Sequence, residues 1–192
     1  MRNIQSDLPL ATPRAWVCPA ATVGTPVALG YMAITGGGAT TMDAATHLLT
    51  IQLTDTAQYG NLKVGDTFVL NAGTDEDLIN RTFVVASVNT STGVVTCLIP
   101  ETKSVLTTVP TYLVSTGRFR NLTALPFSAR GTANGGTVYL GPNSTAGGNW
   151  YPVDPSYIGG VQYSAVLGCA ITLDSLYLET TSSGDRLYLL FH

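Results

Sequence analysis

Apolar and polar residues alternate with a period of two along several short stretches of the chain. Over residues 47–54, Leu49, Ile51 and Leu53 alternate with Thr50, Gln52 and Thr54, the pattern of a strand with one buried face. A Gly65-Asp66 turn launches a second strand over residues 67–71, and an acidic loop, residues 74–77, follows it. Two apolar runs, residues 81–88 and 94–99, flank a loop from Asn89 to Gly93, which is the signature of a hairpin. Residues 121–129, 135–141, 175–180 and 186–192 are further strand candidates. The last two are separated by residues 181–185 and predict a closing hairpin, with Leu176 and Leu178 facing Leu187, Leu189 and Phe191. No window combines a helical period with helix formers and caps, and no repeat of fixed period occurs.

The pattern therefore predicts an all-β chain of short-strand β-barrel or β-sandwich units, two of them, preceded by an extended arm. The arm is residues 1–30, where Pro9, Pro13, Pro19 and Pro26 forbid a long helix. Leu8, Leu10, Trp16 and Val17 are too apolar for a solvated tail, so the segment either lies along a neighbouring subunit or folds back as a first strand on its own domain. A small β-barrel-like domain is expected over residues 31–114 and a C-terminal β-sandwich over residues 115–192. The poorly patterned stretch 101–117, with Pro110, marks a boundary or crossover between them.

Composition strengthens the β reading and narrows the partners. Charged residues are 11% of the chain, against about 25% in an ordinary soluble domain. Its polar surface must come from uncharged groups, and the 28 threonines, 20 glycines and 9 tyrosines supply strand formers and turns. No apolar run approaches the ~18–20 residues needed to span a bilayer, so no membrane association is expected. A net charge of -3 with only two lysines gives no footprint for nucleic acid. So weakly charged a surface suits a protein covered by neighbouring subunits. Cys18, Cys97 and Cys169 are widely spaced and odd in number, which fits small buried hydrophobes in a reducing compartment. The first residues contain no apolar run of signal-peptide length, so export by the usual route is not expected.

Candidate chemistry is sparse. The two histidines, His47 and His192, sit in a strand pattern and at the last position, and no nucleophile-elbow, zinc-protease or phosphate-loop motif is present. No catalytic residue, metal site or cofactor is expected. Asp75, Glu76 and Asp77 lack the alternating spacing of a calcium loop and read as a solvated turn. Four glycosylation-type sequons, at Asn80, Asn89, Asn121 and Asn143, are expected by chance in so threonine-rich a chain. Trp150, Tyr151 and Tyr157 lie among glycines and prolines, where they either stack on a sugar or anchor a protein, or plug the end of a sandwich. Arg118, Arg120 and Arg130 form the one local excess of positive charge.

Two segments carry a resemblance. LKVGDTFVLNAGTDEDLINRTFVVASVNTSTGVVTCLI is similar to a small barrel-like unit of phage structural and tail proteins. NGGTVYLGPNS, followed by GCAITLDSLYLETTSSGDRLYLLFH, resembles the C-terminal β-sandwich of tailed-phage head-decoration and accessory virion proteins. That resemblance implies a virion structural protein, assembled in the host cytoplasm, that decorates or cements the phage head. On that reading the chain is expected to be a homo-oligomer, guessed as a trimer, contacting the major capsid protein or other virion proteins, and the apolar arm residues Leu8, Leu10, Trp16 and Val17 with Arg118 and Arg120 are the candidate contacts. The alternative it leaves is a tail, collar or fibre module that recognises a host-surface glycan through Trp150, Tyr151 and Tyr157.

Overall fold

Threonine, valine and leucine alternate because each strand has one face in the core and one towards solvent. In the strand Leu48–Gln52, Leu49 and Ile51 are buried while Thr50 and Gln52 are half-exposed, as the sequence pattern predicts. A computed structural model describes residues 14–36, 39–70, 78, 81–99, 109–119, 121–126, 135–142, 150–153, 161–164 and 171–191. Its strands are β1 (Arg14–Val17), β2 (Val27–Ala28), β3 (Tyr31–Ala33), β4 (Thr41–Asp43), β5 (Leu48–Gln52), β6 (Thr67–Leu70), β7 (Thr82–Asn89), β8 (Val94–Leu98) and β9 (Tyr112–Ser115). They continue with β10 (Arg118–Phe119), β11 (Asn121–Pro126), β12 (Val138–Gly141), β13 (Tyr151–Val153), β14 (Val161–Ser164), β15 (Ile171–Thr172), β16 (Tyr177–Thr180) and β17 (Leu187–Phe191). A short 3-10 turn, Thr56–Gln58, has a capped start, Asp55 accepting from the Ala57 N–H.

Eight strands form two four-stranded sheets, ordered β1-β17-β11-β14 and β13-β12-β16-β2. Counting only those eight along the chain, the first pairs antiparallel with the last, β1 with β17. Likewise β2 pairs with β16, β11 with β14 and β12 with β13, each pair nested inside the one before. Contacts of β17 with β11 and of β16 with β12 fold this long double-stranded ribbon into two sheets. That winding is a jelly roll. Both sheets turn their buried faces into one apolar cluster, which includes Trp16, Leu122, Val138, Leu140, Leu178, Leu187 and Leu189.

Between β2 and β11, the second and third strands of the roll, the chain makes a second unit. Its sheet runs β3-β9-β6-β7-β8-β5-β4. The sheet closes on itself, because the Thr35 N–H donates to the Gln52 carbonyl (2.8 Å) and the Thr54 N–H to the Ala33 carbonyl (3.0 Å), tying β3 to β5. Met32, Leu49, Ile51, Phe68, Phe83, Val95, Cys97 and Leu113 fill its interior. The chain enters and leaves this barrel at one neck. There the Ser115 N–H donates to the Gly30 carbonyl (2.8 Å) and the Gly30 N–H to the Leu173 carbonyl (2.9 Å). Glycine is needed at position 30 because a Cβ would stand 2.5 Å from the Ser115 carbonyl oxygen.

The structure alters two of the expectations. Residues 14–28 are not an arm: β1 and β2 are the first two strands of the roll, and Trp16 is 1% exposed with its Nε1 donating to the Leu29 carbonyl (2.9 Å). The prolines that argued for an extended path end these strands instead of preventing them, Pro19 following β1 and Pro26 preceding β2. Nor do β16 and β17 form a hairpin. The link between them, Thr181–Arg186, crosses from one sheet to the other, so Leu178 belongs to one sheet and Leu187 and Leu189 to its counterpart, within a shared core. Asp185 fixes this crossover: its buried carboxylate accepts from the Gly135 N–H (2.7 Å), the Gly136 N–H (2.8 Å) and the Thr180 hydroxyl (3.2 Å).

Candidate functional site

β1 is an edge of its sheet, and its outer side meets side chains of the barrel. The Val17 N–H donates to Asn61 Oδ1 (2.9 Å) and Asn61 Nδ2 donates to the Val17 carbonyl (2.8 Å). A side-chain amide has the donor and acceptor of a peptide group, so Asn61 pairs with Val17 as a neighbouring strand would. Gln58 Nε2 adds bonds to the Val17 carbonyl (3.2 Å) and the Tyr31 carbonyl (3.0 Å). Both amides are buried. Around them the Arg14 guanidinium forks onto the Asp66 carboxylate and reaches the Asn61 carbonyl, while Arg186 pairs with Asp55. This end of the edge strand is occupied from within the molecule, which blunts it against pairing with another chain.

The predicted contact residues fall in different places. Leu8, Leu10, Arg120, Arg130 and Tyr157 lie outside the described residues, as do Asp75, Glu76 and Asp77. Trp16 and Val17 are buried in the roll. Trp150 is half-buried and its ring lies flat enough on Gly141 that any Cβ there would strike it, so this indole covers the end of β12. Its Nε1 is buried and has no hydrogen-bond partner among the described residues. Tyr151 is 59% exposed on the edge strand β13. His47 takes a left-handed conformation (φ 53°) in the turn before β5. The thiols of Cys18 and Cys97 are both buried, and burial pushes both up, Cys97 to about 12.

A trough at the neck, between the barrel and the roll, was not legible as a site in the sequence. One part, with a volume of about 610 Å³, has a barrel-side floor of Tyr31, Val69, Tyr112 and Val114 and a roll-side wall that includes Pro26 and Tyr177. The Tyr31 and Tyr112 rings lie 4.7 Å apart and tilted by 35°. Burial, and then the neighbouring Tyr112, hold the Tyr31 hydroxyl above its ordinary pKa. A second part of about 640 Å³ continues along the same strands past Thr67 and Thr116 to Arg118 and Thr172. Asp174 lines both parts. Its Oδ1 is buried and has no hydrogen-bond partner among the described residues.

The outward positions of the barrel strands make the other notable surface. They carry Thr41, Thr50, Thr82, Val84, Thr96 and Leu98 among others, and Asp43 is the one charged residue on the described strands of this face. Val84 and Leu98 are 54% and 66% exposed. Asp43 itself is engaged locally, its carboxylate held below the ordinary value by hydrogen bonds from Thr46 and then from the Ala45 N–H.

No protein-family model and no curated protein sequence matches the chain. Among solved structures, a chain of the "VP16-VP17 complex, a complex of the two major capsid proteins of bacteriophage P23-77" aligns over 93% of this chain and 96% of its own, at 13% identity and a TM-score of 0.25.

Proposed function

We propose that this chain is a structural protein of a virus particle, a decoration or cement subunit bound to the assembled head of a tailed phage. The observation that supports the reading most directly is the jelly-roll winding of the eight sandwich strands. Jelly rolls build viral capsid domains, and also lectins and cupins, so the winding does not choose alone. Two further features favour a shell protein. Apolar side chains fill the interior of the roll, where a cupin keeps its ligands, and the inserted barrel presents an almost uncharged Thr, Val and Leu face suited to a neighbouring subunit. The protein acts by contact and carries out no chemistry.

A subunit that binds only the assembled shell stabilises it by mass action, and repeated contacts around a homotrimer multiply that effect. The N-terminal contact falls to Leu8 and Leu10, since Trp16 and Val17 are spent on the roll. A second reading, a subunit that itself builds the shell, is favoured by the same winding. Quantitative mass spectrometry of purified particles separates them. Decoration predicts a copy number commensurate with the lattice of a distinct, more abundant shell protein. A shell-building role predicts that this chain is the most abundant protein, and absence from particles would remove both readings.

A further inference from the structure

We infer that the trough at the neck is a binding site for a neutral oligosaccharide. The tyrosines Tyr31, Tyr112 and Tyr177 are brought to it from different strands, β3, β9 and β16, two on the barrel and one on the roll. Tyrosine presents an apolar ring face with a polar rim, which matches a pyranose: a C–H face bordered by hydroxyls. Val69, Val114 and Pro26 extend the apolar lining, and the Thr67–Thr116 pair, whose hydroxyls lie 2.7 Å apart, continues it with hydroxyl groups. Asp174 stands where the two parts meet. Its carboxylate adds an acceptor for ligand hydroxyls to the lining of both parts.

The charges decide the ligand class. Asp66, at the polar end, is already forked by Arg14 and takes the Lys63 N–H as well (2.7 Å). Asp174 and Arg118 therefore offer one charge of each sign, which gives no net preference for an acidic or a basic guest and leaves hydroxyls as the natural partners for both. The position is also one where ligand sites concentrate, at the junction of two packed units, and each part has the size of a small-molecule pocket. The inference stands apart from the shell reading, and either can fail without the other.

The test is calorimetric titration of the full chain with maltohexaose, cellohexaose and the hexamer of N-acetylglucosamine, each to about 10 mM, enough to saturate a millimolar site. Binding of at least one is expected. Asp174→Leu and Tyr177→Ala should each weaken it about tenfold, the scale of one lost hydroxyl bond or ring contact. Val69→Trp, at a half-exposed position on the floor, should fill the trough and abolish binding, and thermal melts verify that each variant is folded. No binding by any of the three sugars overturns the inference. So does binding that survives all three substitutions in folded protein.

Discussion

Replacing Trp16 by alanine separates a strand from an arm. The indole is 1% exposed, sits in the continuous core and donates to the Leu29 carbonyl at 2.9 Å. A tryptophan buries about 150–250 Å², and at about 25 cal/mol per Å² that is about 4–6 kcal/mol of transfer free energy. Measured truncations of buried Phe and Trp cost about 3–5 kcal/mol because the site relaxes only in part. For a chain of this length each kcal/mol lowers Tm by about 2–4 °C, so Trp16→Ala should lower it by about 6–20 °C. Trp16→Phe keeps most of the apolar area but removes the donor to Leu29, and should cost about 1–3 kcal/mol. Circular-dichroism melts and urea titrations of the three proteins measure this. An arm residue would move Tm by no more than an ordinary surface substitution, within about 0.5 kcal/mol. A Trp16→Ala melt within about 2 °C of the parent protein would therefore refute the placement of β1 in the roll.

Other expectations test the seam, the neck, the thiols and the outer face. Asn61→Leu leaves the buried Val17 N–H without an acceptor and should cost about 1–3 kcal/mol, with faster hydrogen exchange at Val17 than at Leu189 in the paired strand. Gly30→Ala drives a Cβ against the Ser115 carbonyl and should destabilise by about 1–3 kcal/mol in urea unfolding, since the neighbour is backbone. Cys18 and Cys97 should resist iodoacetamide in the native protein at pH 8 and label on unfolding, as site-mapped mass spectrometry would show. Because both folded thiols hold their protons above the unfolded value, the folded state binds more protons at high pH. Stability should be complete below about pH 8.5 and fall above it by up to about 1.4 kcal/mol per pH unit for each thiol. A stability that stays flat from pH 8 to 10 would contradict that burial. Leu98→Asp, on the exposed barrel face, should leave Tm unchanged yet reduce incorporation into particles, read by quantitative mass spectrometry.

The strands themselves were written in the sequence. Alternation in residues 47–54 and the loop from Asn89 to Gly93 specify local geometry, a period of two and a tight turn with Gly93 at φ 73°, and both survive in β5 and in the β7–β8 hairpin. Partnership was not written there. The run from Leu176 to Phe191 has the pattern of a hairpin, but pairing across sheets buries Leu178, Leu187 and Leu189 from both sides of one core, which adjacent strands of a single sheet would not do. Trp16 and Val17 were visibly apolar, yet whether they covered a neighbour or their own chain depended on β17, more than 160 residues later in the sequence. The same holds for Asn61 and Gln58, ordinary surface residues by type, which became buried only because the barrel lies against the edge of β1. Periodicity records which face of a strand is wet. Which two faces share a core, and which polar groups are trapped between them, are set by long-range closure of the roll, and there the tertiary structure decides.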